Sequence, residues 1–268
     1  MTQPHCDLSG ASLSITGLST GYGGKAIVSG LDLAPIEPGA VVSLLGPNAA
    51  GKTTLLRSLA GLQPATGSVR LGDQELLSLS LAGHARIVTY MPQSLPQRVA
   101  LTVLEGVIGA IRASPVGDGN LSDGDIVDRA LEVIERVGIG HLAMSGLNHL
   151  SGGQRQLASL AQALVREPRV LLLDEPISAL DLHYQLRVMK LVRQLAKERG
   201  MIVLMVLHDL AIAARWSDRV VLLAGGQVVA DGTPEQAITA QVLADVYRVQ
   251  ARVEPGPSGL NIAIEDVL

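Results

Sequence analysis

Residues 46–54 read Gly-Pro-Asn-Ala-Ala-Gly-Lys-Thr-Thr, a Gly-x-x-x-x-Gly-Lys-Thr pattern between the apolar run Val41 to Leu45 and a helix-like segment beginning at Leu55. Such a loop binds phosphate. Its backbone N–H groups curl around phosphate oxygens, the lysine ammonium neutralises charge on the β- and γ-phosphates, and the following hydroxyl coordinates Mg²⁺. Gly46, Gly51, Lys52 and Thr53 fill these positions, and Pro47, Asn48, Ala49, Ala50 and Thr54 complete the cradle. A second group is the apolar run Leu171-Leu172-Leu173 ending in Asp174-Glu175-Pro176. Parallel strands present ligands at their carboxyl ends, and successive strand residues face opposite sides, so the two acids are expected to do different work. Asp174 is assigned to Mg²⁺ through water, and Glu175 to polarising the attacking water as general base. The third group is Leu150-Ser151-Gly152-Gly153-Gln154. It reads as a capping box opening a helix and equally as an anion site, because its glycines leave the helix-start amides uncovered.

Elements that could position these groups are visible in the pattern. Short apolar runs at Ser12 to Ile15, Ala26 to Val28, Leu31 to Leu33 and Val41 to Leu45 predict a β-rich first layer. Leu55, Leu56, Leu59 and Ala60 recur at helical spacing, with Gly61 as a stop. Between about Leu101 and Leu150 the chain turns helical. Thr102 and Glu105 form a capping box, Ser114 to Asp125 is a polar loop, and Ile126 to Val137 carries one apolar face ended by Gly138. Strand Val170 to Leu173, helix Leu182 to Arg199, strand Met201 to Leu207 and helix Leu210 to Trp216 then alternate, which implies a parallel sheet covered by helices. Gly225-Gly226 marks a hairpin, and Thr233-Pro234-Glu235 starts a further helix.

A chain of 268 residues can hold one main domain with an inserted subdomain. Its formal net charge is −4 with no Lys/Arg cluster, which argues against nucleic acid as a partner. Apolar stretches such as Met201 to Leu207 fall far short of the roughly 20 residues a spanning helix needs. The N-terminus lacks a basic-then-apolar leader, so a soluble cytoplasmic protein is expected, reaching any membrane through a partner. Cys6 is the sole cysteine, which excludes an internal disulfide, and it and His5 read as solvated tail.

The phosphate loop, the Ser-Gly-Gly-Gln signature and the strand-end Asp-Glu, in this order, resemble the ABC ATPase family over nearly the whole chain. That resemblance implies an α/β fold: a P-loop NTPase core with a parallel sheet, an N-terminal antiparallel β layer and an inserted α-helical subdomain. It divides a single 1–268 domain into a core of 1–94 and 166–268 and a helical subdomain of 95–165. It also implies a head-to-tail dimer, in which Ser151, Gly152, Gly153 and Gln154 of one copy close over ATP and Mg²⁺ held by the other. By the same likeness Gln93, in Tyr90-Met91-Pro92-Gln93-Ser94, contacts Mg²⁺ and the attacking water, and His208 contacts the γ-phosphate. Asp181 lies on the loop that crosses the dimer, and Tyr22 stacks on adenine. His5, His84, His141, His149 and His183 receive structural roles.

Two residues depart from the family pattern. Ala49 stands where glycine is usual, at a cost of about 1–2 kcal/mol if its backbone is left-handed. Ile177 stands where threonine is usual. Stand-alone members of the family mostly power permeases, and the runs around Gln93, Ser151 and Asp181 look most like importers of iron–siderophore, haem or cobalamin chelates. The implied partners are a second ATPase subunit, two integral-membrane permease subunits and an extracytoplasmic substrate-binding protein, with the chain on the inner face of the cell membrane. The alternatives are a soluble ABC ATPase of repair or translation, and an ATP-binding module with little turnover.

Overall fold

The computed structural model describes residues 10–93, 100–114, 121–256 and 259–268; His5, Cys6, Ser94 and the middle of the 114–125 loop lie outside them. In chain order the strands and helices are β1 (Leu13–Tyr22), β2 (Lys25–Ile36), β3 (Val41–Leu45), α1 (Lys52–Leu59), β4 (Ala65–Leu71), β5 (Gln74–Glu75), α2 (Leu81–Ala85) and β6 (Val88–Met91). Then follow α3 (Val103–Arg112), α4 (Asp123–Val137), α5 (Gly152–Leu164), β7 (Val170–Asp174), α6 (Leu182–Arg199), β8 (Ile202–Val206) and α7 (Leu210–Trp216). The chain ends with β9 (Arg219–Ala224), β10 (Gln227–Gly232), α8 (Pro234–Ala237), α9 (Ala240–Tyr247), β11 (Val249–Gly256) and β12 (Gly259–Val267).

The central sheet has six strands in the order β10-β9-β3-β8-β7-β6. Its β9, β3, β8, β7 and β6 run parallel, and β10 returns antiparallel on β9 as the Gly225-Gly226 hairpin. Both faces are covered, which is why these strands read as continuous apolar runs. Side-chain alternation splits β3 between two cores: Val41 and Leu45 join the core under the helices α3 to α7, while Val42 and Leu44 join the core under the second sheet and α1. That second sheet is antiparallel, β2-β1-β4-β5, and forms the N-terminal β layer.

The expected breaks at Ala26 to Val28 and Leu31 to Leu33 do not occur. They are one strand, β2, because both stretches pair with β1 across irregular register, with Gly30 at φ 59° between them. α1 starts at Lys52 rather than Leu55, since its first turn carries the polar residues of the phosphate loop. The capping box at Thr102/Glu105 opens α3, Gly138 closes α4 at φ 93°, and α6 and α7 keep the limits expected for them. Strands β4 to β6, helices α2 and α9 and the C-terminal hairpin β11–β12 were not anticipated. Among the described residues no helix is long and apolar enough to cross a membrane.

His84, on α2, is 4% exposed and stacked over Gly61, and its Nε2 has no partner among the described residues. Burial lowers its pKa from 6.5, and a hydrogen bond with the Leu59 backbone opposes this only partly. The folded state therefore favours the neutral ring. Its contribution to stability is complete above the unfolded value of 6.5 and is lost as pH falls toward the lower folded value. The decline in Tm between about pH 7 and about pH 5 should be shallower in His84→Leu than in the wild type; parallel Tm profiles would refute this role for His84.

Candidate nucleotide site

The phosphate loop lies between the end of β3 and the start of α1. Gly46 is required where it stands: its φ is 139°, and a Cβ there would lie 2.1 Å from the Leu223 carbonyl oxygen at the end of β9. Gly51 is the N-cap of α1 at φ 100°, with no side-chain cap and no acidic residue in the first turn. The helix-start amides are thus left for an anion. Lys52 is 6% exposed, and its Nζ donates to the carbonyls of Gly46 at 2.6 Å and Pro47 at 2.8 Å. Burial lowers its pKa, while the charges of Glu175 and Asp174 act in the opposite direction. Ala49 does sit in the left-handed region, at φ 64°, so the strain anticipated for a Cβ there is present.

Asp174 ends β7 and is 2% exposed. Thr53 Oγ1 donates to its Oδ1 at 3.0 Å and the Tyr90 hydroxyl to its Oδ2 at 2.9 Å. The Tyr90 pKa is pushed up to about 12, chiefly by burial and next by Asp174, so it stays a neutral donor. Two hard oxygen groups paired in this way, Thr53 and Asp174, could hold a divalent cation such as Mg²⁺.

Glu175 faces different partners. Its Oε2 accepts from Gln93 Nε2 at 2.7 Å, and its Oε1 lies 2.6 Å from His208 Nε2. An ionised carboxylate can only accept, so with Glu175 charged His208 holds its proton on Nε2. The two acids thus have different partners, but strand alternation is not the cause. β7 stops at Asp174, and Glu175 takes a left-handed backbone, φ 52°, which swings its side chain toward Gln93 and His208.

One surface cavity, about 290 Å³, collects Tyr22, residues 48–54, Glu175 and His208. Tyr22 is 46% exposed at the tip of the β1–β2 hairpin. A separate cavity of about 420 Å³ collects Ser151, Gly152, Gly153, Gln154 and Asp181, and shares no lining residue with the first. At 151–154 the capping box is real: Gln154 N–H donates to Ser151 Oγ at 3.2 Å, and Ser151 N–H to Gln154 Oε1 at 2.9 Å. Gly153 lets this turn approach the Ala179 carbonyl, 2.8 Å from where a Cβ would lie. Asp181 caps α6 by accepting from the Tyr184 N–H, so it has a structural task besides facing the cavity.

Sequence reasoning overlooked Tyr90 and Gln156. Gln156 is buried in α5, donates to the Glu175 carbonyl and Ser178 Oγ, and accepts from the Ala179 N–H, tying the signature helix to the segment after β7. Its signal was a glutamine on the apolar face of a helix; Tyr90 had only its nearness to Gln93.

A nucleotide-binding cassette with a separate signature cavity defines the class of protein. The ABC transporter family profile matches residues 31–178. The hemin import ATP-binding protein HmuV of Bordetella avium is 39% identical over 254 residues, covering 92% of this chain and 95% of the relative. The iron(3+)-hydroxamate import ATP-binding protein FhuC of Bacillus subtilis is 36% identical over 249 residues, covering 92% and 91%. Among solved structures, a dimeric ATP-binding cassette in a post-hydrolysis state with ADP and Pi superposes with a TM-score of 0.75 at 27% identity, covering 83% of this chain and 98% of that one. This chain belongs to the ABC transporter family and is an ATP-hydrolysing subunit.

Ala49→Gly should remove the left-handed strain of the loop. Net of the extra flexibility of glycine in the unfolded chain, it should stabilise the protein by about 0.5–1 kcal/mol, read as a Tm rise of about 1–3 °C; an unchanged or lower Tm would contradict strain at this position.

Proposed function

We propose that the chain is the motor subunit of an importer for an iron chelate, haem or a ferric siderophore, with cobalamin as a related cargo. It works as a head-to-tail dimer with a second copy of itself, docked on two permease subunits at the cytoplasmic face of the membrane and served by an extracytoplasmic binding protein. The relatives bearing import names, aligned over about nine-tenths of the chain, support the cargo class. The observation that carries the dimer is the separation of the two half-sites. The cavity with Lys52, Glu175 and His208 lacks the Ser151–Gln154 helix start, and the cavity with that helix start lacks the phosphate loop. A twin turned head to tail supplies each with the other, while the helical segment 95–165 and Gln93 form the surface toward the permease.

In the joined site Lys52 and the α1 amides grip the β- and γ-phosphates, and Tyr22 receives the adenine. The partner's helix start closes over the γ-phosphate. Thr53 and Asp174 would hold Mg²⁺, with Gln93 as a further ligand, and the ion would neutralise charge on phosphate oxygens. Gln93 and His208 aim the Glu175 carboxylate, which takes a proton from water as its oxygen attacks the γ-phosphorus. The bond to the β-phosphate oxygen breaks, leaving ADP and phosphate. Chemistry of this kind depends on positioning and charge rather than on covalent help.

Lys52→Ala should abolish ATP binding. Glu175→Gln should bind ATP without hydrolysing it and elute as a dimer in Mg·ATP, and adding Ser151→Arg should return it to monomer; a dimer indifferent to residue 151 would refute the shared site. Proteoliposomes holding this chain with its permease should accumulate labelled haem or ferric siderophore only with ATP, and failure with every iron chelate would overturn the cargo class.

A further inference from the structure

The last helix of the core reaches back to the phosphate loop. Tyr247 ends α9, and its hydroxyl accepts from the Gly46 N–H at 2.8 Å. On its other side Gly46 offers its carbonyl to Lys52 Nζ at 2.6 Å. The residue cannot retreat, because its backbone abuts the Leu223 carbonyl of β9. One glycine is thus held by β9, by the lysine of α1 and by the tyrosine of α9.

The surroundings of Tyr247 make that hold firm. Its ring packs on the main core, and burial raises the pKa of its hydroxyl, which therefore remains neutral. The next residue, Arg248, takes a left-handed backbone at φ 59°, and β11 starts immediately after it. The hairpin β11–β12 packs on α9 through β11 and on α7 through β12. α7 is capped by Asp209, next to His208. The C-terminal segment therefore backs the loop that takes the phosphates and the helix that follows the histidine.

We propose that Tyr247 is a positioning residue for the ATPase. Its hydroxyl fixes Gly46, and through the Gly46 carbonyl the ammonium of Lys52, so the segment from α9 to β12 sets the affinity of the phosphate loop for Mg·ATP. The inference rests on residues 46–54 holding the triphosphate, and it adds a residue far along the chain that touches no nucleotide itself.

Tyr247→Phe keeps the ring and removes the acceptor. With Mg and the slowly hydrolysed analogue AMP-PNP in a calorimetric titration of the full chain, Kd should rise by about 3- to 10-fold. KM for ATP should rise in parallel, with kcat at saturation changed by less than about twofold, the mark of lost ground-state positioning. A Kd within about twofold of the wild type would overturn the proposal whatever happens to Tm, since a merely structural tyrosine lowers Tm alone. Lys52→Ala in the same titration separates the two levels. Binding as tight as the wild type there would remove the phosphate-loop reading itself, whereas lost binding there with an unaffected Tyr247→Phe would remove only the role of Tyr247.

Discussion

A positive charge has been placed where water scarcely reaches: the ammonium of Lys52 is held by two carbonyls of its own loop and faces the carboxylates of Asp174 and Glu175. Carbonyl dipoles offset part of the desolvation of a buried ammonium, and neither acid forms a direct ion pair with it. Lys52 thus has no direct carboxylate partner among the described residues and is held instead by the loop's own carbonyls. Much of the surrounding architecture serves to keep that arrangement in register. β3 and β9 fix the loop entrance, α1 points its open amides inward, and α9 holds the first glycine from behind.

The two acids at the end of β7 show how a small change of backbone gives neighbouring residues different partners. Asp174 belongs to the strand and is sealed between Thr53 and Tyr90, where a cation can be held. Glu175 is one residue later but lies in a left-handed turn, with Gln93 and His208 on its two oxygens. These partners come from the ends of β6 and β8, which flank β7 in the sheet. Gln156 fastens the signature helix to the same turn, so a displacement of the helical segment would be felt at Glu175.

Much of this was legible in the sequence because it rests on local rules. The phosphate loop, the capping boxes at 102 and 151, the helix start at 233, the glycine stop at 138 and the limits of α6 and α7 follow from hydrogen bonds within a few residues of each other. The parallel sheet was legible too, because strands buried on both faces must be apolar throughout. The roles proposed for Gln93, His208, Asp181 and Tyr22 come only through likeness to a family, since a lone Gln, His, Asp or Tyr carries no periodic or spacing signal.

The sequence alone therefore determined the Gly-rich loop at 46–54 ahead of a helix and an acidic strand end, because those features are carried by neighbours along the chain. Only the tertiary structure decided that β2 is continuous, that a left-handed Glu175 parts the two acids, that Tyr90 seals Asp174 and that Tyr247 reaches Gly46. The last two depend on residues far apart in the chain meeting across packed elements, 84 and 201 positions apart. Local pattern carries no record of such meetings, because they are set by strand order and by which helix face the core accepts.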